Sequence, residues 1–407
     1  MEPVTHLLTG ATLARTGFNR KTALATVTMM LAAEAADLDI VAMVKGSACE
    51  FIEHRGITHT FVAIPFLAGL VVGVIWLADT LWQRSRRARG LAPAPLRRWG
   101  LLYLLACVAA LSHLLLDFTN SYGLRPFFPF SRHWYAWDIV FIFEPLITAA
   151  LLAALVLPWL FGLVNQEIGG RSNGPRGRGA AIAALLFIVV LWGVRDFEHR
   201  RALAAMDGVE FQGEPSIRRG AFPYMVNPFR WAGVAEISNA YVSMEVDSLR
   251  PEVDPGNRAE TYYKPQPAAA TDAAEKTGLG RAYLEWARFP LVEAEALGEP
   301  TPGYLVHFSD VRFMYPDSPL ESYSGTDSGH HRHPLEAYVL LDSDLRMMRE
   351  GFGSPTGQQE RTQTAPGQVT VRRRLQAHGS GNAWLPAAEA KSGNGAPPAA
   401  GAGPKSF

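Results

Sequence analysis

His113 and Asp117 stand four residues apart in SHLLLDFTNSYGLR (112–125). On a helix both side chains project from one face, where they can grip one metal ion or polarise one water molecule. The pair closes a long apolar run, and an ionisable residue beside a hydrocarbon span is costly unless it is partnered, so it marks a functional site. Five more residues supply partners: His6 in THLLTG, Asp37 and Asp39 in AADLDIV, and His54 and His59 in HRGITHT. All seven are imidazoles or carboxylates, the ligand types suited to Zn²⁺, Mn²⁺ or Fe²⁺. Seven candidates exceed what one tetrahedral ion needs, so two ions bridged by an aspartate suit the count.

Each residue alone has a plainer explanation. A histidine at a membrane boundary packs or caps, two aspartates can end a helix in solvent, and HRGITHT can be a polar loop. Convergence favours the metal. Gly56 permits a tight turn after Arg55 that folds His54 and His59 toward each other, and Arg55 offers a fixed cation for a phosphate or carboxylate. Glu144 precedes Pro145 within an apolar run, so it is expected to face the bundle interior as a ligand partner or proton acceptor. Asp39, Arg55 and Glu144 are therefore the candidate catalytic residues. Asn120 orients a water molecule or caps a helix end. In RPFFPFSRHWYAWDIVF, Arg125 and the aromatic rings around it read as an interfacial belt or a lipid-binding lip.

The elements that must position these groups are read from apolar periodicity. Residues 4–16 and 22–36 are expected to form helices; the first, at about 20 Å, is too short for the ~30 Å hydrocarbon core. Residues 40–60 are a polar connection and 61–82 a span, with Asp79 as its only charge. The loop QRSRRARGLAPAPLRR holds six arginines and no acid, which places it in the cytoplasm. Residues 99–116 then run outward, 118–136 form an outer loop, and 139–163 run inward. Residues 180–194 number 15 and cross only if Arg178 and Arg195 snorkel to the interfaces.

Beyond residue 196 the pattern turns from helical to alternating. Stretches 235–248, 303–315 and 336–344 read as strands, with a helical segment near 272–288. His307 and Asp310 fall on opposite faces of a strand, and SGHHRHP (His330, His331, His333) reads as a surface loop. The final residues collect Gly, Pro, Ala, Ser and Gln. The expected architecture is an α-helical polytopic membrane domain (1–196), a small β-rich soluble domain on the extracytoplasmic side (197–353), and a disordered tail (354–407). Lysine plus arginine equal aspartate plus glutamate at 38 each, which gives no sign of a nucleic-acid partner. Cys49 and Cys107 are the only cysteines; their apolar and polar settings argue against a disulfide, and two thiols exclude a thiolate cluster.

The combination of THLLTG, the DLD pair, HRGITHT and SHLLLDFTNSYGLRPFFPFS resembles the YdjM-like, LexA-regulated inner-membrane proteins, described as metal-dependent hydrolases. The resemblance covers about residues 1–165. It implies a ligand role for His6, Asp37, Asp39, His54, His59, His113 and Asp117. One departure is AADLDIV, where family members carry a proline before the first aspartate and a following histidine. The expectation is a multi-pass protein of the bacterial inner membrane that holds one or two divalent ions, Zn or Mn. It would hydrolyse an ester, a phosphoester included, of a small or lipid-like amphipathic substrate at the bilayer. Two other classes compete. A metal or proton transporter would need acids at the membrane midplane, where only Glu144 and Asp79 qualify. A non-catalytic anchor would present the β domain to a partner.

Overall fold

The computed structural model describes residues 1–92, 95, 97–167, 177–250, 253, 259–298, 302–315, 335–353, 373–376 and 382–385. The N-terminal half is helical: α1 (Pro3–Arg15), α2 (Ala25–Glu34), α3 (Ser47–Glu53), α4 (Ala63–Ala88), α5 (Trp99–Phe118), α6 (Pro145–Glu167) and α7 (Arg178–Ala205). Pro3 opens α1, where a missing N–H is harmless, and the Glu2 carboxylate caps the helix by accepting from Thr5 N–H at 2.9 Å. Helices α1, α2 and α5 pack closely because their shared core is made of small residues: Ala14, Ala25, Ala32, Ala106 and Ala109. Gly10 belongs to this contact, since a Cβ there would stand 2.4 Å from the Met29 carbonyl oxygen. That approach brings the first turn of α1 beside the last turn of α5.

Helices α4, α5 and α7 are long and apolar enough to cross a membrane, and α6 contributes a shorter apolar stretch, Pro145–Phe161. On α4 the exposed residues Phe66, Leu70, Val74, Leu77 and Leu81 recur every three or four positions and form one exposed apolar face, as a membrane-crossing helix requires. The span expected at 139–163 starts as a helix only at Pro145. The last span differs more from its expectation. At 28 residues α7 is about 42 Å long. Arg195 does not snorkel: it is fully buried and paired with Glu144 at 2.6 Å. The connection at 40–60 is itself ordered, with a 3₁₀ stretch at Ala35–Lys45, then α3, then a 3₁₀ turn at Ile57–His59.

The C-terminal half is built on β1 (Glu210–Phe211), β2 (Glu214–Pro215), β3 (Arg218–Pro223), β4 (Arg230–Glu236), β5 (Ala240–Asp247) and β6 (Glu260–Tyr263). Helices α8 (Ala269–Glu275) and α9 (Gly278–Trp286) follow, where one helical segment was expected. Then come β7 (Pro290–Leu297), β8 (Gly303–Asp310), β9 (Ala337–Asp342), β10 (Met347–Phe352), β11 (Arg373–Gln376) and β12 (Asn382–Leu385). One sheet has the order β10-β9-β8-β7 and the larger one β11-β12-β6-β5-β4-β3, antiparallel except at β12–β6. The stretch 235–248 turns back on itself after Glu236, so it supplies the end of β4 and the whole of β5, paired from Arg230↔Asp247 to Glu236↔Tyr241. Of the tail expected at 354–407, everything but β11 and β12 lies outside the described residues, as does SGHHRHP. Cys49 and Cys107 are both free.

The two halves share a core. Phe51 of α3 and Tyr122 pack with Tyr283 and Trp286 of α9 and with Val306 and Phe308 of β8. Trp286 Nε1 donates to the Tyr122 carbonyl at 3.0 Å, and Arg312 Nη1 donates to the Ser121 carbonyl at 2.9 Å. The β-rich half therefore rests on the segment that directly follows His113 and Asp117.

Candidate metal centre

Five elements converge on one buried point. His6 comes from α1, His113 and Asp117 from α5, Asp37 and Asp39 from the 3₁₀ stretch after α2, and His54 and Arg55 from the turn that follows α3. His59 comes from the 3₁₀ turn that follows. His6, His59 and His113 are wholly buried and Asp117 nearly so. Two overlapping groups have ligating atoms within 4.8 Å of one another: His6, His113 and Asp117, and Asp37, His59 and His113. The i, i+4 spacing on α5 delivers its expected contact, with His113 Nε2 at 3.5 Å from Asp117 Oδ2.

The histidines are oriented from behind. His113 Nδ1 donates to the Ala33 carbonyl at 2.7 Å, and His59 Nδ1 lies 3.3 Å from Asp39 Oδ2. With Nδ1 carrying the proton in each, Nε2 presents a lone pair. These two nitrogens face each other at 3.1 Å. His59 Nε2 also lies 3.3 Å from Asp37 Oδ1 and 3.5 Å from Asp117 Oδ2. Four acceptors thus meet with no donor among them. His6 stacks on His113 with ring centroids 3.8 Å apart, and neither of its nitrogens has a hydrogen-bond partner, although Nε2 is 3.5 Å from Asp117 Oδ1. Buried acceptors are seldom left so, and a cation satisfies all of them at once. The donor set of nitrogens and carboxylate oxygens fits a divalent transition metal.

Asp39 and His54 stand at the rim. Asp39 accepts from Arg55 N–H at 3.0 Å, and His54 Nδ1 lies 3.4 Å from its other oxygen, so Asp39 positions the turn and His59. It is outside the two close groups, as is His54, which is partly exposed. Burial opposes charge on Asp39, but hydrogen bonds with His54 and with His59 Nδ1 hold its carboxyl below the ordinary range. Arg55 takes a left-handed backbone, φ 52°, and is buried. Its Nη2 lies 3.0 Å from Asp117 Oδ1, its Nη1 donates to Gly123 O at 2.7 Å, and its guanidinium stacks on the Tyr122 ring at 4.7 Å. The Met1 amino group also lies against Asp117 Oδ1. Asn120 accepts from Arg55 Nη1 at 3.3 Å and from Tyr122 N–H at 2.9 Å.

Glu144 is the correction among the site residues. It does face the interior, but toward Arg195, and it also accepts from Val226 N–H at 3.2 Å. No contact joins it to the histidine cluster among the described residues. Sequence reasoning passed over Glu34, three residues before Asp37 on the same stretch. Both its carboxylate oxygens are buried without a partner, and burial, reinforced by Asp37, pushes the carboxyl up to about 8. The signal was an acid at helical spacing from the DLD pair. Tyr122 left no such signal, because its role is set by the partners it meets across the fold.

A membrane domain with a buried cluster of histidines and aspartates is thus the class that fold and site define. Residues 1–202, the helical half of the chain, match the family model described as YdjM inner membrane protein. A Bacillus subtilis (strain 168) protein, "Uncharacterized protein YfhP", is 27% identical over 140 residues, which is 33% of this chain and 37% of that protein. The chain therefore aligns with little more than a third of that relative. No solved structure matches.

Proposed function

We propose that the membrane domain is a metal-dependent hydrolase acting on an ester of an amphipathic substrate, phosphoesters included. The observation that carries this reading is the meeting of His59 Nε2, His113 Nε2, Asp37 Oδ1 and Asp117 Oδ2 as acceptors only. His6, His113 and Asp117 would hold one zinc or manganese ion, and Asp37 and His59 would be ligands of a second where two are bound. Bound there, the ions supply Lewis acidity toward a substrate oxygen and acidify water. The chain's own groups do the rest. Asp39 and the Ala33 carbonyl keep His59 and His113 turned inward. Arg55 offsets the charge of Asp117 and offers a fixed guanidinium at the site's edge. The lipid-facing stripe of α4 and the buried site together motivate a substrate drawn from the bilayer.

The protein is read as multi-pass in a bacterial inner membrane, with the arginine-rich 83–98 segment cytoplasmic and the β-rich half extracytoplasmic. A phosphatase fused after Ala205 should be active; activity only from a cytoplasmic reporter reverses this orientation. The site is tested by elemental analysis of the detergent-purified, untagged protein beside His59→Ala and His113→Ala. One or two equivalents of a transition metal in the native protein, lost from both variants, are expected. Three metal-free samples after reconstitution with zinc and manganese would remove the mechanism.

A further inference from the structure

Beside the cluster of acceptors lies a cluster of donors. Arg125 Nε, Trp134 Nε1 and Arg55 Nε are buried, and none donates to a protein acceptor. The Arg125 guanidinium lies over Trp134 at 4.7 Å and over Phe128 at 5.1 Å, and its Nη2 reaches only the Ile52 carbonyl, at 3.5 Å. That same nitrogen would stand 3.8 Å from a Cβ on Gly56, so Arg125 abuts the turn that carries Arg55 toward Asp117. Glu285, the acid that acts most strongly on Arg125, is itself paired with Arg132 at 3.1 Å. Buried donors without acceptors are rare in folded proteins, and a planar guanidinium beside an indole N–H matches the oxygens of a phosphate.

An apolar rim adjoins these donors. Phe61, Phe127 and Phe130 are 46%, 48% and 85% exposed. Phe61 and Phe127 pack edge-on at 5.5 Å, and Phe61 N–H donates to the Pro126 carbonyl at 3.0 Å, which ties the rim to the residue after Arg125. Phe61 also leads into α4, so the rim continues the lipid-facing stripe of that helix to the donor cluster. Exposed aromatic groups at the mouth of a span belong at the membrane interface.

We propose that Arg125 and Trp134 bind the phosphate of an amphiphilic phosphoester, while Phe61, Phe127 and Phe130 receive its apolar tail at the membrane surface. The subsite places the headgroup beside Arg55 and the metal centre; hydrolysis there rests on the reading above, but binding does not. The test is native mass spectrometry of the full chain in detergent with EDTA present. Three probes are compared: dioleoyl phosphatidate, dioleoylglycerol, which lacks the phosphate, and glycerol phosphate, which lacks the tails. Phosphatidate should be retained about tenfold better than either. Arg125→Gln should bring it down to the diacylglycerol level, and Phe127→Ser with Phe130→Ser should weaken it several-fold. Arg125→Lys, which keeps the charge without the fork, should fall between, and it serves if the glutamine variant does not fold. Equal retention of diacylglycerol, displacement of the lipid by glycerol phosphate at matching concentration, or undiminished retention by a folded Arg125→Gln protein would each overturn the subsite. Because EDTA strips metal, a lost lipid site and a lost metal site are read separately.

Discussion

Around Arg195, buried donors meet acceptors, whereas around His113 the inward-facing nitrogens and oxygens meet other acceptors. Arg195 Nη2 donates to Glu144 at 2.6 Å, while Nη1 reaches the carbonyls of Tyr224 at 3.3 Å and Ile139 at 3.4 Å. Glu144 in turn accepts from the backbone of the β-rich half at Val226. A similar arrangement holds Arg312, paired with Asp310 at 2.9 Å and donating to the Ser121 and Trp286 carbonyls. At the His/Asp cluster the inward-facing atoms are acceptors alone, held in place by groups behind them. Both regions bury costly groups, and the Arg195 Nε is also buried without a hydrogen-bond partner, so neither burial nor one unmatched atom separates a brace from a site. What differs is that the Arg195 and Arg312 guanidinium groups each face a carboxylate and carbonyl oxygens, whereas the inward atoms of the cluster face other acceptors.

That contrast is easiest to break at the brace. Glu144→Ala leaves the Arg195 guanidinium buried and unpaired, and about 3–5 kcal/mol of stability should be lost, seen as a collapse of the melting temperature in detergent. Combining Glu144→Leu with Arg195→Met should restore most of it. If the single variant melts like the native protein, the pair is no brace. At the cluster the effect should depend on metal. Zinc at a hundredfold excess over its dissociation constant should raise native stability by about 2.7 kcal/mol. Asp37→Asn should reduce that gain while leaving the metal-free protein within about 1 kcal/mol of native, because Asp37 is partly exposed. A metal-free loss as large as that of Glu144→Ala would make the cluster a second brace.

Smaller effects mark the junction of the two halves. Trp286→Phe deletes the donor to the Tyr122 carbonyl and should cost about 1 kcal/mol, with the aromatic packing retained. If metal content also falls, the β-rich half positions the site as well as resting on it. Arg132→Ala should leave the melting curve unmoved, because its pair with Glu285 is largely exposed and screened.

Much of the site was legible from residue types. His6, Asp37, His59, His113 and Asp117 are polar groups set into apolar or boundary stretches, and that anomaly is local. The helix positions were legible for the same reason, since a run of apolar residues declares a span without reference to the rest of the chain. Asp39 and His54 were legible as members but not in their place, because their standing at the rim depends on which way the turn at Arg55 points. The helix over 178–205 was underestimated: beyond Val194 the sequence turns polar, and the partner that makes Arg195 tolerable inside the protein is Glu144, 51 residues earlier.

The sequence by itself determined which segments are apolar enough to cross a membrane and which residues have the chemistry to bind a cation, since hydrophobicity and ligand type belong to each residue alone. Only the tertiary structure decided which imidazole nitrogens face one another, that Glu144 serves Arg195, and that Tyr122 and Arg125 border the site. Those facts are relations between residues far apart in the chain, and they arise from packing of α1, α2 and α5 on one another and of α3, α7 and the segment after α5 on the β-rich half.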